Sequence, residues 1–274
     1  MRVEASFSSP PPCHRGRHKA FRRIGEAKVP GPSLTSGLRT FTSINVTALY
    51  PAMSLIQAIG SDVIAIQEHS IQKGGVSGAK ASLASIGYGA VLTDSDPETQ
   101  SPSGGVGILV KKPRAYHELH PKTEVFQQSR DLGRAVLAMI GVGTHVPVMV
   151  ASLYGWSTQE AGEDRFERTS ALLDSLIAEL REWPVCPTLI MGDFNGLPSK
   201  FMSLVGALRE GTLHDMGANA EAWGGSSHAP TALAHNAKKP SRIDLVLCNS
   251  PFLPLARAWA WAIVAPLMYT GPSR

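Results

Sequence analysis

The stretch Pro187-Thr188-Leu189-Ile190-Met191-Gly192-Asp193-Phe194-Asn195 decides how this chain is read. Its first half is a short apolar run of the length of a buried strand. Gly192 frees the backbone to turn sharply, so the strand is expected to end there. Asp193 and Asn195 then emerge together at the C-terminal edge, and the period-two alternation turns Phe194 back into the core. Such edges are where α/β sheets place ligands. A carboxylate beside an amide suits a hard divalent cation or an anionic oxygen. The same residue types also make ordinary strand-ending turns, so the step gains meaning only from its company.

That company is specific. Val63-Ile64-Ala65-Ile66 runs at once into Gln67-Glu68-His69. Ser241-Arg242-Ile243-Asp244 leads into Leu245-Val246-Leu247. Asn45 lies in the extended stretch Phe41-Thr42-Ser43-Ile44-Asn45-Val46, and Tyr154 closes the apolar run Val148–Leu153. Strand after strand therefore carries a polar residue at or near one end: Asn45, Glu68, Tyr154, Asp193 with Asn195, and Asp244.

Between these points the pattern is that of a layered α/β domain. A strand over residues 40–50, a helix over Met53–Ile59 begun by Pro51, and a strand at Val63–Gln67 form a strand–helix–strand unit with short loops. Lys80–Ser85 reads as helical. Gly104 and Gly105 open a strand rather than a helix, which argues against a phosphate-cradling loop. Arg134–Ile140 and Val146–Leu153 read as paired strands. In Glu160–Glu182, Phe166, Leu172, Leu173, Leu176, Ile177 and Leu180 recur at helical spacing, and Pro184 closes the segment. Phe201–Leu208 is expected to be helical and Ala258–Val264 to be a last core strand.

Composition sets the bounds. A chain of 274 residues with 43% hydrophobic content can bury the core of one large α/β domain. Cys13, Cys186 and Cys248 are too scattered for a metal or disulfide framework, which favours a reducing compartment, nucleus or cytoplasm. A net charge of +4 with pI near 9.0 is compatible with a polyanionic substrate without demanding one. Much of the positive charge lies early: Arg2, Arg15, Arg17, Lys19, Arg22, Arg23 and Lys28 stand against Glu4 and Glu26. With Pro10-Pro11-Pro12 and little aliphatic periodicity, residues 1–36 read as a disordered basic arm, a composition that also fits an organelle transit peptide. Residues 37–265 are expected to form the domain and 266–274 a tail. The apolar stretch Phe252–Tyr269 is interrupted by Arg257 and two prolines, so no membrane insertion is expected. Ser157 and Ser170 lack the elbow context of a serine hydrolase.

The steps Asn45-Val46, Gln67-Glu68, Gly192-Asp193-Phe194-Asn195 and Ser241-Arg242-Ile243-Asp244, in this order, resemble the endonuclease/exonuclease/phosphatase superfamily over roughly residues 40–265. Asn45-Val46-Thr47-Ala48-Leu49 and Gln67-Glu68-His69 look most like its retrotransposon endonuclease branch. The resemblance implies a DNase I-like four-layer sandwich, two mixed β-sheets face to face with helices outside. It implies a metal-dependent phosphodiesterase, using Mg²⁺ with Mn²⁺ as a substitute and acting on DNA as a monomer. Glu68 matches the principal metal ligand, supported by Asn45. Asp193 matches the residue that orients or deprotonates water, Asn195 a phosphate contact, and Tyr154 a phosphate or leaving-group contact. Asp244 matches a carboxylate supporting the site from the second sheet, and Thr231 a hydrogen-bonding support. Arg242 is expected to pair with a surface Asp or Glu rather than with phosphate.

The chain departs from the pattern at its end. Family members carry a Ser-Asp-His step after the Asp corresponding to Asp244, whose His works with the residue corresponding to Asp193. Here the window Val264–Arg274 holds no such step, and no His follows Asp244. His228 and His235 precede it and read as solvated loop residues. Loss of a general acid or base lowers rates by roughly 10²–10⁴-fold, so a crippled or truncated enzyme is expected. An inactive folded remnant and a member of the phosphatase or sphingomyelinase branch stand as alternatives.

Overall fold

The computed structural model describes residues 2–6, 38–97, 104–142, 147–231 and 241–260. In chain order the elements are β1 (Arg2–Ser6), β2 (Leu38–Asn45), α1 (Leu49–Ile59), β3 (Val63–Gln67), α2 (Val76–Ser85), β4 (Tyr88–Leu92), β5 (Val106–Lys111), β6 (Tyr116–Leu119), α3 (Glu124–Asp131), β7 (Ala135–Ile140), β8 (Val148–Tyr154), α4 (Thr158–Ala161), α5 (Arg165–Arg181), β9 (Thr188–Asp193), α6 (Met202–Arg209), β10 (His214–Asp215), β11 (Asp244–Cys248) and β12 (Ala256–Ala260). They build two six-stranded sheets, ordered β12-β1-β2-β3-β5-β4 and β10-β11-β9-β8-β7-β6. Each sheet is mixed, with one parallel pair, β2 with β3 and β8 with β9.

Period-two alternation sorts the strands into layers. Val63 and Ala65 of β3, Val136 and Ala138 of β7, Val150 of β8, Leu189 and Met191 of β9 and Val246 of β11 meet in the core between the sheets. The alternate residues pack outward. Ile64 and Ile66 lie against Leu49, Ile56, Ala79 and Leu83 of α1 and α2. Leu153, Ile190, Leu245 and Leu247 lie against Phe126, Leu172, Leu176 and Leu204 of α3, α5 and α6. The result is the expected four-layer sandwich.

Several local expectations are corrected. Arg2–Ser6 is not part of an arm but a strand, paired antiparallel with both β2 and β12. It is short and carries charge, so its own pattern is uninformative, and long-range pairing fixes it. The remaining residues of the expected arm and the 266–274 tail lie outside the described residues. The last described strand spans Ala256–Ala260 and so begins two residues before the expected Ala258, while residues 261–264 of that expectation lie outside the described residues. The long helix breaks at Gly162, whose φ of 56° ends α4 before α5 begins. Helix α1 starts at Leu49, with Pro51 inside its first turn, where no backbone N–H is missed. Gly192 does not end its strand. Asp193 is the last strand residue, and glycine is needed because a Cβ would run into the Leu153 carbonyl oxygen on β8.

Candidate active site

The same alternation that builds the inner core brings the polar strand ends together. Tyr154, Asp193 and Asp244 share the inward parity of Val150, Met191 and Val246 on their strands. Register aligns them: Tyr154 pairs with Asp193 across the parallel ladder, and Asp244 with Asp193 across the antiparallel one. In the other sheet Asn45 pairs with Gln67. Five strands therefore end their inward faces at one edge of the sandwich.

Glu68 needs a separate device. Alternation alone would send it to the helix face with Ile64 and Ile66. Its left-handed φ of 56° breaks the alternation just past β3. The turn is held from several sides. The His69 carbonyl accepts from Leu49 N at 3.0 Å, and the His69 and Ser70 amides donate to Gly105 and Gly104. The His69 ring accepts from Ile71 N through Nδ1 (3.1 Å), and its Nε2 donates to the Val106 carbonyl (3.3 Å). This is a neutral imidazole, and burial pushes its pKa down to about 4. Gly105, at φ +78°, lies so close to the ring that a Cβ would stand 2.5 Å away.

Asn45 joins the two sheets. Its Nδ2 donates to Glu68 Oε1 at 2.7 Å and to Asp193 Oδ2 at 3.1 Å, while its Oδ1 accepts from Thr47 N at 3.1 Å. In this geometry Asn45 orients the two carboxylates and turns its oxygen away from them. Beneath it, Gln67 donates to Ser152 Oγ, which in turn donates to the Ile66 carbonyl, so a buried polar seam fixes the sheets' relative position. The Tyr154 phenol is 3% exposed and hydrogen-bonded to Glu68; burial and the neighbouring Glu68 and Glu160 charges raise its pKa. Its ring rests under the Arg134 guanidinium, 5.0 Å from the centroid.

Asp193 accepts from the Asn195 backbone at 2.9 Å, a turn that holds Asn195 at φ 52°. The Asn195 amide donates to the Gly155 carbonyl at 2.8 Å, and Phe194 is buried in the core as expected. Burial, then the Asp244 charge, pushes the Asp193 carboxyl up to about 8. Asp244 is raised too, by burial first, against the opposing Thr231 hydrogen bond. Thr231 Oγ1 accepts from Ile243 N (3.0 Å) and Asp244 N (2.9 Å), fixing the start of β11. Arg242 pairs with Asp215, but both side chains are buried, so the pair is internal and not on the surface. It anchors the approach to Asp244. His228, at φ 56°, donates its backbone N–H to the Gly217 carbonyl at 3.0 Å, and His235 lies outside the described residues.

No Lys, Arg or His among the described residues forms an ion pair with Glu68, Asp193 or Asp244. No group of three or more His, Cys, Asp or Glu side chains forms a metal cage among them either. This donor set fits a hard cation of the Mg²⁺ kind, which takes one or two carboxylates and fills its shell with water and substrate oxygens. Sequence reasoning found the strand-end residues but not Arg134, His69 or Gln67. Only the positions of His69 and Gln67, flanking Glu68, were a signal for them.

The comparisons with known proteins agree with the fold. A model of the Endonuclease/Exonuclease/phosphatase family matches residues 49–267. A search of curated proteins finds no match. Among solved structures, an AP endonuclease from Archaeoglobus fulgidus is 16% identical, with a TM-score of 0.55 over 77% of this chain and 86% of its own. The APE2 catalytic domain of Xenopus laevis is 16% identical, with a TM-score of 0.56 over 78% and 83%. A humanized TDP2 from D. rerio is 19% identical, with a TM-score of 0.54 over 76% and 82%. At these identities the likeness is one of fold.

Proposed function

The chain belongs to the endonuclease/exonuclease/phosphatase family, and on that premise we propose that it is a Mg²⁺-dependent phosphodiesterase that nicks DNA. The observation that carries the reading is the Asn45 amide, which ties Glu68 of one sheet to Asp193 of the other. A carboxylate suited to a metal and a carboxylate suited to water are thereby set at a fixed separation. Glu68 would hold the ion, which supplies charge stabilisation at the phosphoryl oxygens when bound. Asp193 would orient the attacking water and take its proton, Asn195 and Tyr154 would meet the phosphate, and Asp244 would support Asp193. DNA as substrate is favoured by the similar structures, an AP endonuclease among them. Kinship with the retrotransposon branch rests on the Asn45–Leu49 and Gln67–His69 steps alone.

One observation favours slow turnover. The immediate strand partner of Asp193 is Asp244, another carboxylate, and no Lys, Arg or His among the described residues forms an ion pair with either. Among the described residues proton handling therefore falls on Asp193. The test is plasmid nicking with Mg²⁺ together with calorimetry of Mg²⁺ and Mn²⁺ binding. Glu68→Ala is expected to abolish both nicking and metal binding. Appending a family-like C-terminal strand with Ser-Asp-His should raise the rate by roughly 10²-fold or more. Unchanged metal binding in Glu68→Ala would sink the assignment.

A further inference from the structure

We propose that the cleft beside the Glu68 turn is a stacking subsite for one unpaired nucleobase, with Tyr50 as the platform and Lys73 meeting the adjoining phosphate. It rests on the phosphodiesterase reading above and deepens it by naming what would lie beside the cleaved bond, an unpaired stretch of the nucleic acid.

The Asn45 and Glu68 loops are sewn together on their inner side. Val46 N donates to the Gln67 carbonyl at 2.9 Å, Leu49 N to the His69 carbonyl at 3.0 Å, and Ser70 Oγ to the Thr47 carbonyl at 3.0 Å. Thr47 and Ser70 both sit at φ 58°, so each loop turns sharply away from the strand ends. Next to this seam opens a cleft of about 370 Å³ lined by Tyr50, Ser70, Ile71, Gln72, Lys73 and Gly75. Ser70 lies two residues from Glu68, so whatever fills the cleft lies beside the atoms that would bind the ion.

The lining chemistry selects the occupant. Tyr50 is 54% exposed, yet it stands on the first turn of α1 next to the fully buried Leu49. Its hydroxyl reaches toward α2, where a Cβ on Gly78 would stand 4.0 Å away. An aromatic ring held by a helix offers a flat apolar face at small entropic cost. Lys73 is the only charged residue among the lining side chains, so the cleft lining itself offers an anion a cation and no carboxylate. Ile71, 6% exposed, supplies an apolar floor. A cleft at the small end of the roughly 300–1,000 Å³ range of ligand pockets holds one nucleotide rather than a folded partner. A flat ring beside a single cation is the arrangement by which proteins take successive bases and phosphates of a single strand. In a duplex the faces of each base are already stacked on their neighbours, so Tyr50 would add nothing there.

The test uses the full chain and a short fluorescein-labelled single-stranded oligodeoxynucleotide, its duplex, and bis(p-nitrophenyl) phosphate. Binding is read by anisotropy in EDTA, where no turnover occurs. Tyr50→Ala should weaken single-strand binding roughly tenfold, the scale of one lost base–aromatic stack, and Tyr50→Phe should retain it. Neither substitution should change duplex affinity. Lys73→Ala should flatten the salt dependence of single-strand binding. Equal single-strand affinity in wild type and Tyr50→Ala, or an equal loss on the duplex, overturns the proposal. If wild type hydrolyses neither DNA nor the small diester, the phosphodiesterase reading has failed, and anisotropy still decides the cleft.

Discussion

Arg134 and Asp193 are both buried charged side chains on the strands of one sheet or at their ends, and they are treated in opposite ways. Arg134 is fully buried, with Nη2 2.5 Å from Asp96 and 3.0 Å from Glu160, and it stacks on the rings of Tyr154 and Trp156. Burial alone would lower its pKa, but its acidic partners more than reverse this, and Glu160 is held low in return. Asp193 has Asp244 and Glu68 for neighbours and only neutral donors, from Asn45 and Asn195, to offset them. One cluster balances its charge internally, and the other is built to receive charge from outside. Within the same layer, that difference separates scaffold from site.

The largest effect should come from unbalancing the scaffold cluster. Arg134→Met leaves Asp96 and Glu160 in a site shaped around a guanidinium, and breaking a buried pair costs about 3–5 kcal/mol. Chemical denaturation should show a loss of that size, with Arg134→Lys intermediate. A loss under about 1 kcal/mol would mean the cluster is not the internal balance described.

The site cluster should respond with the opposite sign. With its folded pKa raised from 3.8 to about 8, Asp193 holds a proton that the unfolded chain has already released. The stabilisation is therefore present at low pH and fades as pH rises toward 8. In metal-free protein, melting temperature should fall between pH 6.5 and 8, and Asp193→Asn should flatten that fall while lowering any nicking roughly 10²-fold or more. Mg²⁺ should restore stability at pH 8 in wild type and do less in the variant. A wild-type melting temperature that rises over this range would break the comparison.

His69 supplies a third, smaller contrast, since it is buried neutral. Its folded pKa is lowered from 6.5 to about 4, so its contribution is complete above pH 6.5 and is lost as pH falls through that window. The pKa difference corresponds to about 3 kcal/mol. Acid titration of stability should be steeper in wild type than in His69→Asn, and metal affinity should drop in the variant if the ring holds the Glu68 turn.

Much of this was legible beforehand, for a physical reason. Asn45, Tyr154, Asp193 and Asp244 sit at the ends of strands whose apolar alternation is strong, and alternation predicts both face and edge. What escaped was set by contacts distant in sequence. The Arg2–Ser6 strand exists because β2 and β12 both offer it a ladder. Strands β4 and β6 and helix α3 escaped as well; in β6 Tyr116 and His117 are exposed and Glu118 is half-buried, which leaves Leu119 alone buried. The inward turn of Glu68 depends on a positive φ that a glutamate does not advertise. Gly192 was read as a turn former, although its task is to let β9 lie against the Leu153 carbonyl. Arg134 looked like a strand opener, and its partners at 96 and 160 come from other parts of the fold.

The smallest expected effect tests how the site cluster is kept in register. Thr231 Oγ1 takes both the Ile243 and the Asp244 amides at the point where β11 begins. It also holds the Asp244 carboxyl down against the rise caused by burial. Thr231→Val keeps the shape and removes the oxygen, so two amides lose their acceptor at a half-buried position. The loss should be about 1 kcal/mol, near the net value of a typical intramolecular hydrogen bond, because water can reach part of the site. Thr231→Ser keeps the oxygen and should restore most of that stability. Without the hydrogen bond Asp244 should rise further, so the metal-free loss of stability toward alkaline pH should continue to higher pH in Thr231→Val than in wild type. An identical pH dependence in the two proteins would show that Thr231 supports the β11 backbone alone and leaves the charge of the site to Asp193 and Asp244.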